Sequence, residues 1–248
     1  MVVASLSLGA LVGILLSGGF IYWEIGNYAT PQVPETLFEE RKVVFAYTAG
    51  LFVGVPLALP LIFYITALSN DALPGAALFL AILVIGTEVA QWGLLRTVYF
   101  GRAPASPFYA LGFRAGIGGV LVLALVTQYL SGFSITPLGI VVILLESLAI
   151  VLLEVAGTLL SLRAPAGSGR TGGGPISGGL IQVVGFFLVG FGALLGIVYG
   201  AAAALIAILG AYWIYFRIRG VLRTIPPPGG SSPPKAPLPK GSYGRTDD

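Results

Sequence analysis

Residues 176–216 read ISGGLIQVVGFFLVGFGALLGIVYGAAAALIAILGAYWIYF, an apolar run that holds no Asp, Glu, Lys or Arg. A helix needs about 20 apolar residues to cross a hydrocarbon core of roughly 30 Å. This run is about twice that length, so it predicts two spans joined by a very tight hairpin, divided near Gly196–Gly200. It ends in Arg217, Arg219 and Arg223, a basic cluster that reads as a stop-transfer anchor drawn to anionic lipid.

The remaining apolar runs follow from the same length argument. They predict spans over about residues 2–23, 43–68, 75–96, 107–130 and 137–162, so the chain reads as an all-α, seven-helix membrane bundle over residues 1–225. The first run lacks the basic flank of a secretory signal and reads as a retained helix. Residues 24–42 are polar, and Pro31 and Pro34 forbid a long helix there. Pro56 and Pro60 sit inside the second span, where neighbouring groups must satisfy the carbonyls that they free. Residues 226–248 are rich in Pro, Gly, Ser and Lys and predict a disordered tail.

Composition agrees with membrane residence. The chain is 56% hydrophobic and 9% charged, against the roughly 25% charged residues of a soluble domain. The absence of Cys excludes disulfides and thiolate chemistry, and the absence of His removes the commonest general base and metal ligand. Two Asn and one Met are a depletion of thermolabile residues that hyperthermophiles show, and a GC-rich genome produces the same bias. A cytoplasmic C-terminus collects Arg41, Lys42, Arg96, Arg102, Arg163, Arg170, Arg217, Arg219, Arg223, Lys235, Lys240 and Arg245 on the inner side. The external turns then hold no Lys or Arg. By the positive-inside rule the N-terminus is outside and the protein is a multi-pass protein of the cell membrane.

Four ionisable groups lie within the spans: Glu88, Arg114, Glu146 and Glu154. Each costs at least about 2.5 kcal/mol at mid-bilayer unless it is paired or neutral. At 1.5 Å per residue, Glu88, Arg114, Glu154 and Gln182 all fall roughly 9–12 Å from the inner interface and predict one polar layer. Such a layer can glue helices together, or it can serve as a proton path or a catalytic carboxylate pair. Glu146 is too deep to join it, and reads as a lone protonated acid in a helix contact or as the floor of an outward cavity. Gly112 and Gly116, with Gly119 beyond, form a glycine stripe that permits close helix approach. Phosphate-loop, dinucleotide, metalloprotease and serine-hydrolase motifs are absent. No cofactor, metal site, catalytic set or nucleic-acid partner is predicted.

Spans three to five resemble the anterior-pharynx-defective (Aph) scaffold subunit of gamma-secretase, a distant relative of PrsW-type and CAAX-type intramembrane proteases. The resemblance rests on Glu88-Val89 with Arg96 eight residues after the Glu, and on Tyr109 followed by Gly112, Gly116 and the displaced rung Gly119. It continues in the Ile/Leu-rich approach Ala149–Leu153 to Glu154, which stands where the family has a His, and in Arg163 after it. The family's second His falls near Phe187, and the chain closes on Trp213 and the basic Arg217–Arg223 segment. Thr87 stands where the protease relatives have the first Glu of a double-Glu motif.

The resemblance implies a non-catalytic scaffold that binds and stabilises a presenilin-like aspartyl intramembrane protease in a prokaryotic membrane. Two other readings are a glutamate-dependent intramembrane protease using Glu88 and Glu154, and a small proton- or ion-coupled transporter built on the same layer.

Overall fold

The structure, a computed structural model, describes residues 2–28, 39–70, 72–97, 106–132, 136–162, 175–194 and 197–218. These residues form seven helices and no strand: α1 (Val2–Tyr28), α2 (Glu40–Ser69), α3 (Leu73–Arg96), α4 (Ser106–Gly132), α5 (Pro137–Leu162), α6 (Pro175–Leu194) and α7 (Ile197–Ile218). Six of the seven are long and apolar enough to cross a membrane, and α6 contributes a shorter apolar stretch, Ser177–Gly192. The long apolar run is two helices, one ending at Leu194 and the next beginning at Ile197, so Gly200 lies inside α7 and the division comes at the early edge of the expected Gly196–Gly200 stretch. The proposed tail over 226–248, Arg102, Arg163, Arg170, Arg219 and Arg223 lie outside the described residues.

Three helices run past the limits of their apolar cores. α1 continues through Glu24 to Tyr28 because the first helix breaker is Pro31. α2 begins at Glu40, behind a Lys42–Glu39 ion pair of 2.8 Å, and stays helical through Pro56 and Pro60. α3 starts at Leu73, where Pro74 occupies a first-turn position whose N–H has no helical partner anyway.

α4 is the centre of the bundle. Inside its apolar stretch 89% of the residues are buried, against 28–50% in the other five long helices, so α4 has almost no face left for lipid. The outer helices instead expose Leu11, Leu15, Phe45, Phe52, Val55, Leu78, Ile85, Val184 and Leu209. An exposed apolar face of this extent is stable against hydrocarbon and unstable against water. α2 and α1 are the most closely packed neighbours of α4, and glycine sets that distance. A methyl group on Gly116 would overlap the Tyr47 carbonyl oxygen, and one on Gly112 would stand 3.0 Å from the Val43 carbonyl oxygen. Toward α1, a methyl on Gly119 would meet the Ser17 hydroxyl at 2.6 Å. The glycines of α4 therefore serve two partners, Gly112 and Gly116 facing α2 and Gly119 facing α1.

Residue pairings give the relative directions. Val43 and Tyr47 meet Gly112 and Gly116 in the same order, so α2 runs parallel to α4. Gly9 meets Leu123 and Gly13 meets Gly119, so α1 is antiparallel to it. Gly178 faces Ser161 and Gly185 faces Leu153, which makes α6 antiparallel to α5. At one end, Tyr215 of α7 meets Phe20 and Trp23 of α1 at ring distances of 5.9 and 6.4 Å. That end also holds Arg41, Lys42, Arg96 and Arg217, all the Lys and Arg of the described residues except Arg114. Arg96 lies over Trp92 at 3.3 Å and Arg217 over Trp213 at 5.4 Å, the aromatic and cationic pairing found where helices leave the hydrocarbon.

Candidate functional site: a buried ion cluster

Arg114 is the largest fully buried side chain of the described residues, with no exposed surface. It can be there because two helices aim three acceptors at it. Its Nε donates to Gln91 Oε1 at 2.6 Å, and one terminal nitrogen donates to Glu154 Oε2 at 3.0 Å. The other terminal nitrogen donates to Glu88 Oε1 in a very short ion pair. A guanidinium presents N–H groups in a fixed planar fork, so three acceptors on α3 and α5 hold it in one orientation.

Hydroxyl and amide groups complete the cluster. Gln182 of α6 donates its Nε2 to Glu154 Oε2 at 2.9 Å, and Thr87 approaches Gln182 Oε1 at 3.5 Å while donating at 2.8 Å to the Val84 carbonyl. Ser161 lies 3.2 and 3.0 Å from the two Glu88 oxygens and 2.9 Å from the Gly157 carbonyl oxygen. α3, α4, α5 and α6 thus meet in one network. Gly157 and Gly178 admit it: a methyl on Gly157 would press the Gln182 amide at 3.0 Å, and one on Gly178 would collide with Ser161.

The polar layer read from depth alone is therefore a bonded cluster: Glu88, Arg114, Glu154 and Gln182 are brought together. Burial within it is unequal. Glu154 and Gln182 have no exposed surface, whereas the Glu88 side chain is 14% exposed. Glu154 Oε1 has no hydrogen-bond partner. Sequence reasoning missed Gln91, Ser161 and Thr87 as members. Helical spacing held the signal, since Gln91 lies three residues after Glu88 and Ser161 seven after Glu154, both on the same helix faces.

Glu146 stands apart, wholly buried, with the Tyr129 hydroxyl as the polar group beside it. Without exposed surface it is not the floor of an open cavity. Phe187 faces outward, 47% exposed and stacked on Phe191 at 5.5 Å. Glu154 and Phe187, the two positions that the resemblance expects to match histidines, thus differ: Glu154 is inside the cluster and Phe187 is on the outer surface. Among the described residues no three His, Cys, Asp or Glu side chains gather as metal ligands.

Apolar outer faces around an internal ion cluster define an integral membrane protein of the helical-bundle class. No family model, no curated protein and no solved structure matches the chain.

Proposed function

We propose that this chain is a non-catalytic scaffold of the cell membrane that binds and stabilises a second integral membrane protein. The Aph resemblance implies that this partner is a presenilin-like aspartyl intramembrane protease. The observation that carries the scaffold reading is the engagement of the cluster. Its carboxylates are spent on Arg114 and on neighbouring amide and hydroxyl donors, and Glu154 has no surface that a substrate could reach. A hydrolytic acid pair needs room for water and a scissile bond beside it; a helix-locking pair needs the opposite. The same cluster ties four helices into one rigid unit, which suits a protein whose task is to present a fixed surface.

The proposed orientation puts the N-terminus outside and the basic end in the cytoplasm, because Arg41, Lys42, Arg96 and Arg217 share that end. A reporter inserted at Asn70 is expected to read external and one fused after Thr224 cytoplasmic. Equal readings at the two sites would defeat the proposal for topology.

The function is tested by purifying the chain alone and, separately, from native membrane. Alone it is expected to cleave no transmembrane peptide and to carry no proton flux in vesicles. From native membrane it is expected to bring down a membrane protease with paired Asp residues in its spans. Turnover or flux by the chain alone, abolished by Glu88→Gln or Glu154→Gln, would put a glutamate-dependent protease or a proton-coupled transporter in its place.

A further inference from the structure

Charge counting in the cluster leads beyond packing. Two carboxyl groups, Glu88 and Glu154, surround a single guanidinium, Arg114. The other cations of the described residues are engaged or exposed elsewhere: Arg41 is exposed at the start of α2, Lys42 pairs with Glu39, Arg96 lies over Trp92 and Arg217 over Trp213. Of the other elements packed against α5, α1 carries the buried acid Glu24 but no Lys or Arg, and α6 and α7 bring no titratable partner to Glu154. α6 faces it with Gln182, and α7 faces α5 with Ala207 and Ala211. Fully ionised, the cluster would bear one uncompensated negative charge inside an apolar bundle, a state that proteins avoid by neutralising the group.

The unbalanced charge has an address. Both oxygens of Glu88 are within reach of a donor, Oε1 of Arg114 and Ser161 and Oε2 of Ser161. Glu154 Oε2 accepts from Arg114 and Gln182. Glu154 Oε1 alone is wholly buried and unpartnered.

We propose that the Glu88–Arg114–Glu154 cluster is a binding site for one proton, held on Glu154 Oε1 and exchanged with the basic end past Glu88 and Ser161. A metal cation is a poor occupant, because even Mg²⁺ and Ca²⁺ require about six or more oxygen ligands and this oxygen stands alone. A proton needs one lone pair. Glu88, the cluster's partly exposed carboxyl, provides the way in, and Ser161 sits beside it near the end of α5. The proton belongs to the charge balance of the pair rather than to one residue. Removing either carboxyl leaves one acid and one guanidinium, a balanced pair with no need of it. This site is independent of what the scaffold binds.

Infrared spectroscopy reads it directly. The chain is labelled with ¹³C-glutamate, purified in an ester-free detergent at neutral pH, and given Glu24→Gln and Glu146→Gln to silence the other two buried acids. A label-sensitive carbonyl stretch of a protonated carboxyl group is expected, shifting promptly in heavy water. Adding Glu88→Gln and adding Glu154→Gln are each expected to abolish it. Loss with Glu154→Gln but survival with Glu88→Gln would mean a proton private to Glu154 and would overturn the shared site. A difference spectrum in which each variant loses only ionised carboxylate would overturn it as well. The unsubstituted chain serves as a control on folding: if it lacks the exchangeable band, the proposal fails without any variant.

Discussion

Helix α5 carries two wholly buried glutamates eight residues apart, and the protein treats them in opposite ways. Glu154 meets Arg114 and Gln182 and joins four helices. Glu146, about 12 Å along the same helix, has the Tyr129 hydroxyl beside it and no charged partner. Residue type, helix and burial are the same in both places. The difference lies in what the facing helix brings: α4 offers Glu154 a guanidinium at Arg114, and offers Glu146 the neutral Tyr129 hydroxyl. A buried acid ties helices together where the neighbouring element supplies a charged donor, and beside a single neutral hydroxyl it is closer to a cost the bundle carries.

The sharpest way to break this comparison is to take away the donor. Arg114→Leu leaves Glu88 and Glu154 together in an apolar interior, and should cost about 3–5 kcal/mol, the range for orphaning a buried ionic partner. The double change Arg114→Leu with Glu154→Leu should cost less than the single one, because the remaining Glu88 is partly exposed. Thermal unfolding in detergent measures both, and a double variant less stable than the single would show that the pair is not the unit at stake.

Next in size is a change that leaves the cluster intact. Gly116→Leu drives a side chain into the backbone of α2 at Tyr47, and should cost about 3 kcal/mol, the upper end for overpacking, because backbone cannot rotate aside. Gly93→Leu, at a glycine with nothing within 4 Å, should be tolerated in the same assay. Equal melting temperatures for these two variants would remove the glycine contact from the account of the fold.

The two acids can then be compared directly. Glu154→Leu strands the Gln182 amide and one guanidinium nitrogen, and should cost roughly 1–3 kcal/mol. Glu146→Leu removes a buried acid whose polar neighbour is the single neutral Tyr129 hydroxyl, and should be neutral or stabilising by about 1 kcal/mol. Opposite signs for one substitution on one helix are the signature of the comparison, and like signs would erase it. The smallest effect is expected from Glu146→Gln, which keeps the size and hydrogen-bonding capacity of the side chain.

Much of this architecture is legible in the chain itself because the bilayer leaves so few choices. An apolar run must be helical to satisfy its backbone and must have a minimum length to cross, so the seven helices follow from where the charges stop. Even the division of residues 176–216 into α6 and α7 follows from length, although no Pro or charge marks it. Depth can also be read, since each residue of a helix advances 1.5 Å. Counting from the helix ends thus places Glu88, Arg114, Glu154 and Gln182 in one layer.

Azimuth is what a single helix does not disclose. Apolar residues surround every span, so no polar face marks which side of α5 meets α4 and which meets lipid. Only packing decides that Arg114 turns toward Glu88, Gln91 and Glu154, that Phe187 turns outward, and that Gly116 serves α2 while Gly119 serves α1. The sequence by itself determined the class of protein, its spans and the depth of its charges, because hydrophobic length and rise per residue act along one dimension. The tertiary structure decided which charges touch, which acid is left without a charged partner and which helix lies at the centre, because those depend on rotation about helix axes and on the close contacts that glycine allows.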